Sequence, residues 1–221
     1  MRQAIILGTG GHCRVVLSML LEAGLHHVAE IIELSELRYG ESIMGIPVRT
    51  TALSLKSFSG IPKTDVFLAI GNNKIRRQWW EKVNELNLPL PNLISSHAII
   101  DDFAKLGEGN IVCARAFIGP ECIIGNNNLV NTGAILEHEV QVGSHCHLSS
   151  SSTVAGRSRI HDGCFLGAGA IIIDKLSIAA ESTIGAGAVV ISNIEQADGV
   201  YVGTPAQRRL GKVFKTPPIH D

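Results

Sequence analysis

In the stretch ILEHEVQV (135–142), two adjacent side chains have the means to do chemistry: the imidazole of His138 and the carboxylate of Glu139. An imidazole titrates near neutral pH, so it can take a proton from a reacting group. A carboxylate beside it can orient the ring and raise its basicity. An isolated His-Glu pair is usually just a solvated turn, and neighbours on a strand point to opposite faces. The value of the pair therefore depends on what the flanking sequence builds around it.

What flanks it is a strict period. Aliphatic residues stand at Ile100, Leu106, Val112, Ile118, Ile124, Val130, Leu136, Val142, Leu148, Val154, Ile160, Leu166, Ile172, Ile178, Ile184 and Val190, sixteen consecutive matches to a six-residue repeat without insertion. Four residues after most of them comes a small side chain, as at Ala116, Cys122, Ala134, Cys146, Ser152, Ser158, Cys164, Ala170, Ser182 and Ala188. No helix has a period of six, and an ordinary strand does not hold register this long. A hexapeptide β-solenoid does, because each short strand buries its aliphatic residue and then turns. Three hexads make a coil, so residues eighteen apart stack about 4.8 Å apart. Eighteen on from His138 is Gly156. A glycine there leaves room for a substrate and bares a backbone N–H that could hold an oxyanion.

The first ninety residues read differently. AIIL (4–7) predicts a strand, and GTGGH a turn. Val15, Val16, Met19, Leu20 and Ala23 then fall at helical spacing up to a stop at Gly24. VAEII (28–32) and VFLAI (66–70) predict two further strands. KIRRQWWEKVNEL predicts a helix with Ile75, Trp79, Val83 and Leu86 on one face. This order implies a parallel sheet covered by helices, and LPLPN (88–92) is a connector. The helix N-terminus after GTGGH can receive a diphosphate. However, the dinucleotide fingerprint G-x-G-x-x-G needs glycine where Cys13 stands, and a tight strand-to-helix turn needs glycine regardless. Arg76 could neutralise a phosphate or sit on a solvated helix face.

Composition narrows the classes. A formal net charge of -1 with no Lys/Arg block argues against a nucleic-acid partner. No run of eighteen apolar residues exists, so no membrane span is expected, and the first residues hold too short an apolar run for a signal peptide. The five cysteines, an odd number without a C-x-x-C pair, suit a reducing cytoplasm. Cys122, Cys146 and Cys164 sit at the small interior position and read as packing.

GTGGH, AIGNNKIRR (69–77), NTGAILEHE (131–139) and VGTPAQR (202–208), in this order, resemble the nucleotide-aminosugar N-acetyltransferases and sialic acid O-acetyltransferases of the hexapeptide-repeat group. The resemblance implies an α/β Rossmann-like nucleotide-sugar-binding domain over 1–93, a left-handed parallel β-helix with its C-terminal segment over 94–212, and a tail over 213–221. It also implies a homotrimer with acetyl-CoA as cosubstrate between neighbouring solenoids. His138 would be the base and Glu139 the group that strengthens it, their contact depending on a corner of the coil. Gly156 is the oxyanion candidate, and His147, Ala168 and Ala186 would line the coenzyme site. Asn131 would line the acceptor site. Gly10, Gly11, His12, Glu33, Gly71 and Lys74 would bind the nucleotide-sugar.

The segment IIELSE lacks the family's paired Asp after the second strand, and Gln207 replaces a usual basic residue, with Arg208 and Arg209 following as possible phosphate contacts. His145 and His161 receive no role. Trimeric hexapeptide carbonic anhydrases hold zinc with histidines between subunits, and His138, His145 and His147 lie within ten residues. Those enzymes lack the N-terminal α/β unit, so no metal is expected here. The expected activity is acetyl-CoA-dependent N-acetylation of a nucleotide-linked 4-amino-4,6-dideoxy sugar for surface glycan (O-antigen, capsule or glycoprotein) biosynthesis. The alternatives are O-acetylation of a sialic-acid-like sugar and a non-catalytic sugar-binding module.

Overall fold

The structure, a computed structural model, describes residues 1–34, 40–50 and 63–209. The tail expected over 213–221 lies outside the described residues. The chain forms two compact units that divide between Leu93 and Ile94.

In the first unit, β1 (Arg2–Leu7), β2 (His26–Glu33), β3 (Ser42–Ile43), β4 (Ile46–Thr50) and β5 (Thr64–Leu68) form a sheet in the order β3-β4-β2-β1-β5. β1 lies at its centre, parallel to both β2 and β5. Helix α1 (Gly11–Ala23) follows β1, and α2 (Asn73–Glu85) follows β5. The three strands expected from apolar runs are present. The β3–β4 hairpin was not expected, because its signal is only a Met44–Gly45 turn with φ of 50° and 83°.

Helix α1 stops at Gly24, whose left-handed φ of 64° lets its N–H reach Leu20 O. Its buried face is Cys13, Val16, Leu17, Met19 and Leu20, while Val15 and Ala23 point outward. The inward stripe therefore starts at Cys13, two residues before the apolar residues that suggested it. In α2 the expected face is likewise displaced. Val83 is buried, and Trp79 and Leu86 pack on the core, but Ile75 is exposed and its neighbour Arg76 is buried. Arg76 can take an inward place because Nη1 donates to Ile70 O at 3.0 Å and Nη2 to Asn73 Oδ1 at 3.0 Å. It is neither a phosphate ligand on a surface nor part of a solvated face.

The second unit is a parallel β-solenoid. Every hexad from Ile99–Ile100 to Val189–Val190 contributes a two-residue strand whose second member points inward. Residues eighteen apart pair in parallel register, as Phe117 with Ile135 and Gln141 with Arg159. The strands stack into three sheets, making a triangular prism. Its first face carries Ile135–Leu136, its second Gln141–Val142 and its third His147–Leu148. From Gly109 to Gly187 each corner holds one residue at positive φ, as at Glu139, His145, Ser151 and Arg157.

The small corner side chains are sealed inside, and all five cysteines are buried and outside any disulfide. Burial pushes the Cys113 thiol up to about 12, so it is inert as a nucleophile. Two buried asparagines tie three coils together: Asn110 Oδ1 accepts from Asn128 N, and Asn128 Oδ1 accepts from Cys146 N. Asn128→Ala should lower unfolding free energy by about 1–3 kcal/mol, because it strands a buried amide. Gln141→Ala on the outer face should change it by about 0.5 kcal/mol or less. Urea titration of both variants checks this.

Candidate active site

The corner between the first and second faces brings His138 and Glu139 together. Glu139 adopts a φ of 59°, and its N–H donates to Pro120 O in the coil before. That left-handed turn brings the side chains of two consecutive residues to one side, which a plain strand would forbid. Glu139 Oε2 lies 3.0 Å from His138 Nδ1. A carboxylate can only accept there, so Nδ1 carries the hydrogen, and in the neutral imidazole the lone pair is then on Nε2. The Glu139 carboxyl is held below its usual range, first by the hydrogen bond from Arg157 and then by that from His138.

Gly156 stacks on this corner one coil later. A Cβ built at Gly156 would stand 2.5 Å from both Cε1 and Nε2 of His138. Only glycine leaves the imidazole in place. The Gly156 N–H has no hydrogen-bond acceptor in the structure, while the adjacent Arg157 N–H is taken by His138 O at 3.0 Å. His138 Nε2 thus lies against the bare Cα of Gly156, whose N–H is unspent, and an acyl-transfer centre needs a base and a donor close together.

The remaining solenoid residues lie elsewhere on the prism. Asn131, Ala168 and Ala186 are at the corner between the third and first faces. Ala168 and Ala186 stack directly, with Gly187 N donating to Ala168 O at 2.9 Å. Beside them Gly169 and Gly187 have φ of 67° and 66° and open space where a Cβ would stand. This edge bears no long side chain over two coils, which fits an extended pantetheine arm. His147 is on the third face, buried against the edge of the Phe165 ring, with Nε2 3.5 Å from Asn131 Nδ2. One chain therefore joins His138 with Glu139 and Gly156, and joins Asn131 with His147, but holds the two groups at different edges.

The three clustered histidines do not converge. His145 is at the corner between the second and third faces with Nδ1 2.8 Å from Asn127 Nδ2, and His161 Nε2 is 3.2 Å from Ser177 Oγ. Among the described residues no group of three His, Cys, Asp or Glu side chains could hold a metal ion. Arg208 bonds Gln196 through its guanidinium.

In the first unit, residues 8–10 and 69–72 connect the carboxyl ends of β1 and β5 to the first turns of α1 and α2, where open α/β sheets bind ligands. Gly8 is required, since its φ is 102° and a Cβ would meet Ala69 O at 2.9 Å. Gly11 and Gly71 are not required by packing: a Cβ would meet nothing within 4 Å at either, so their bareness leaves room. Gly10 caps α1 without a side-chain bond, and its carbonyl accepts from Cys13 N at 2.9 Å. Glu33 is buried and accepts from Thr9 Oγ1, so it braces this loop. Lys74 is exposed in the first turn of α2.

His12 Nε2 is buried with no partner, and burial followed by the nearby Arg76 charge depresses the imidazole to about 4. Sequence reasoning had no signal for this coupling, because His12 and Arg76 are far apart along the chain. The unfolded chain binds the His12 proton more readily than the folded one does. Stability should therefore fall as pH drops from about 6.5 toward 4. Thermal melts at pH 7.5 and pH 5 should show the loss, and His12→Gln should reduce it. Gly156→Ala should abolish turnover without unfolding the chain.

Residues 3–83 match the PglD N-terminal domain family. Across both units the chain superposes on the acetyltransferase domain of PglB from Neisseria gonorrhoeae at 31% identity and a TM-score of 0.87, covering 95% of this chain and 100% of that one. A second structure of that domain, in complex with acetyl coenzyme A, matches at 32% identity and a TM-score of 0.86, covering 94% and 99%. A variant of GDP-perosamine N-acetyltransferase from Caulobacter crescentus, in complex with CoA and GDP-perosamine, matches at 31% identity and a TM-score of 0.89, covering 95% and 97%. With this likeness running through the left-handed β-helix as well as the α/β unit, the chain belongs to the hexapeptide-repeat nucleotide-sugar N-acetyltransferase family.

Proposed function

We propose that this protein transfers the acetyl group of acetyl-CoA to the amino group of a nucleotide-linked 4-amino-4,6-dideoxy sugar, a step in surface glycan biosynthesis. The observation that carries the reading is the corner at His138, where Nδ1 is engaged by Glu139 and Nε2 faces the bare Cα of Gly156. Acetyl-CoA supplies the acyl group as a thioester. His138 Nε2 takes the proton of the acceptor amine as its nitrogen bonds to the acyl carbon. The Gly156 N–H donates to the oxygen on which negative charge collects. His138 then returns the proton to the departing sulfur, so the pair ends as it began.

The segment Gly10–Gly11–His12, with Gly71 and Lys74, is the proposed grip on the nucleotide-sugar, supported by the open space at Gly11 and Gly71 and by an α1 N-terminus that no side chain caps. His147, Ala168 and Ala186 are the proposed coenzyme contacts and Asn131 an acceptor contact. These residues occupy a different edge of the prism from His138, so a complete site would need a second copy of the chain, which supports a homotrimer. No helix among the described residues is long and apolar enough to cross a membrane. Five cysteines that form no disulfide suit a reducing compartment, and the cytoplasm is the proposed location.

Thiol release from acetyl-CoA, measured with UDP-, GDP- and dTDP-linked 4-amino sugars beside free sialic acids, tests the reaction. Turnover with an amino sugar is expected, reduced about 100-fold or more by His138→Ala. Turnover confined to the hydroxyl acceptors, or unchanged in His138→Ala, would overturn it. The intersubunit site has its own check. His138→Ala and Ala168→Trp should each be inactive alone, and co-expression of the two should restore activity, because some sites would then combine intact edges.

A further inference from the structure

Arg157 follows Gly156 and stands one coil above Glu139 in the eighteen-residue register. Its Nε donates to Glu139 Oε2 at 2.8 Å, the same oxygen that lies 3.0 Å from His138 Nδ1. The main chain adds a second tie, Arg157 N to His138 O at 3.0 Å. Three residues from two coils are thus joined through one carboxylate oxygen and one carbonyl.

We propose that Arg157 is a positioning residue for the His138–Glu139 pair: its guanidinium fixes the carboxylate beside the imidazole and offsets its charge. The inference rests on the acetyl-transfer reading of that pair. A carboxylate left to itself would both rotate and favour the imidazolium, which cannot take a proton from an amine. The cation opposes both tendencies while leaving Nε2 clear.

The other charges around the pair do not supply this. Glu137 precedes His138 on the same corner, and Glu121 occupies the matching corner position one coil earlier. Asp174 and Lys175 lie one coil beyond Gly156 and Arg157, with Lys175 N donating to Gly156 O and Lys175 Nζ 3.4 Å from Asp174 Oδ2. Arg159, two residues beyond Arg157, shares a cleft with Arg157 and Lys175, but its Nε donates to Gln141 Oε1 at 3.1 Å rather than to Glu139. The depressed Glu139 carboxyl, for which Arg157 is the first cause, agrees with this account. Loss of the cation moves both members the same way. Glu139 is protonated at higher pH, and His138 faces an anion that nothing offsets.

The test is the pH profile of kcat/KM for the full-length enzyme and its Arg157→Ala, Arg157→Gln and Arg157→Lys variants. Arg157 is largely exposed, with 57% of its side chain open to solvent, and thermal melts confirm that the variants fold. The acidic limb should move up by about half a pH unit or more in Arg157→Ala and Arg157→Gln. Arg157→Lys should return most of that shift. An unmoved limb in Arg157→Ala, even with a lower kcat, would overturn the proposal and leave Arg157 as a structural prop. A limb restored by Arg157→Gln would also overturn it, since a neutral donor would then suffice. Unchanged turnover in His138→Ala would instead refute the base reading itself, which separates the two failures.

Discussion

The interaction on which everything else depends is the backbone ladder between coils, in which the N–H of one residue meets the C=O seventeen residues on. Phe117 N to Ala134 O and Ile135 N to Ser152 O are two of its rungs, at 2.9 and 2.8 Å. Because every coil has eighteen residues without insertion, the ladder holds Gly156 against the His138 ring and Arg157 against Glu139. One inserted residue between 138 and 156 would place Ala155 where Gly156 must be and close the space at Nε2. The regularity of the scaffold is thus a positional requirement of the chemistry as well as a way of burying aliphatic side chains.

The corner turns this ladder into a reactive arrangement. A non-glycine residue in the left-handed region is ordinarily a small cost, and the solenoid accepts that cost at many corners from Arg115 to Glu181. At Glu139 the same turn brings a carboxylate round to its own neighbour, so the pair needs no partner from a distant segment. The price of that economy is exposure: the His138 side chain is 51% open and that of Glu139 39%. Surface ion pairs hold weakly when isolated. Here Arg157 donates to the same oxygen from the next coil, and the main-chain bond between Arg157 and His138 limits how far either side can stray.

Much of this was legible in the sequence, and the limits have physical causes. The six-residue period revealed the solenoid because each interior position tolerates only one class of side chain, from Ile118 and Leu136 through Ala134 and Cys146. The eighteen-residue step led from His138 to Gly156 for the same reason. Arg157 was overlooked because an exposed arginine leaves no periodic mark. Arg76 was misplaced because burial of a guanidinium depends on carbonyls, Ile70 O among them, that only the folded loop presents. The β3–β4 hairpin escaped because a two-residue β3 outside a repeat carries almost no pattern, and Pro47 interrupts the short apolar run of β4. The distance between the His138 corner and the edge of Ala168 and Ala186 became apparent only with the three faces laid out.

The central claim is that the corner stores an imidazole with its hydrogen on Nδ1 and its lone pair on Nε2. Nitrogen-15 NMR of histidine-labelled protein, with the His138 signals assigned by their loss in His138→Ala, reads that tautomer directly at pH 7.5. The account predicts a protonated Nδ1 and a bare Nε2, and in Glu139→Gln a loss of that preference. A resting Nε2–H tautomer in the wild-type enzyme would contradict it, since the nitrogen facing Gly156 would then have no lone pair with which to take the proton.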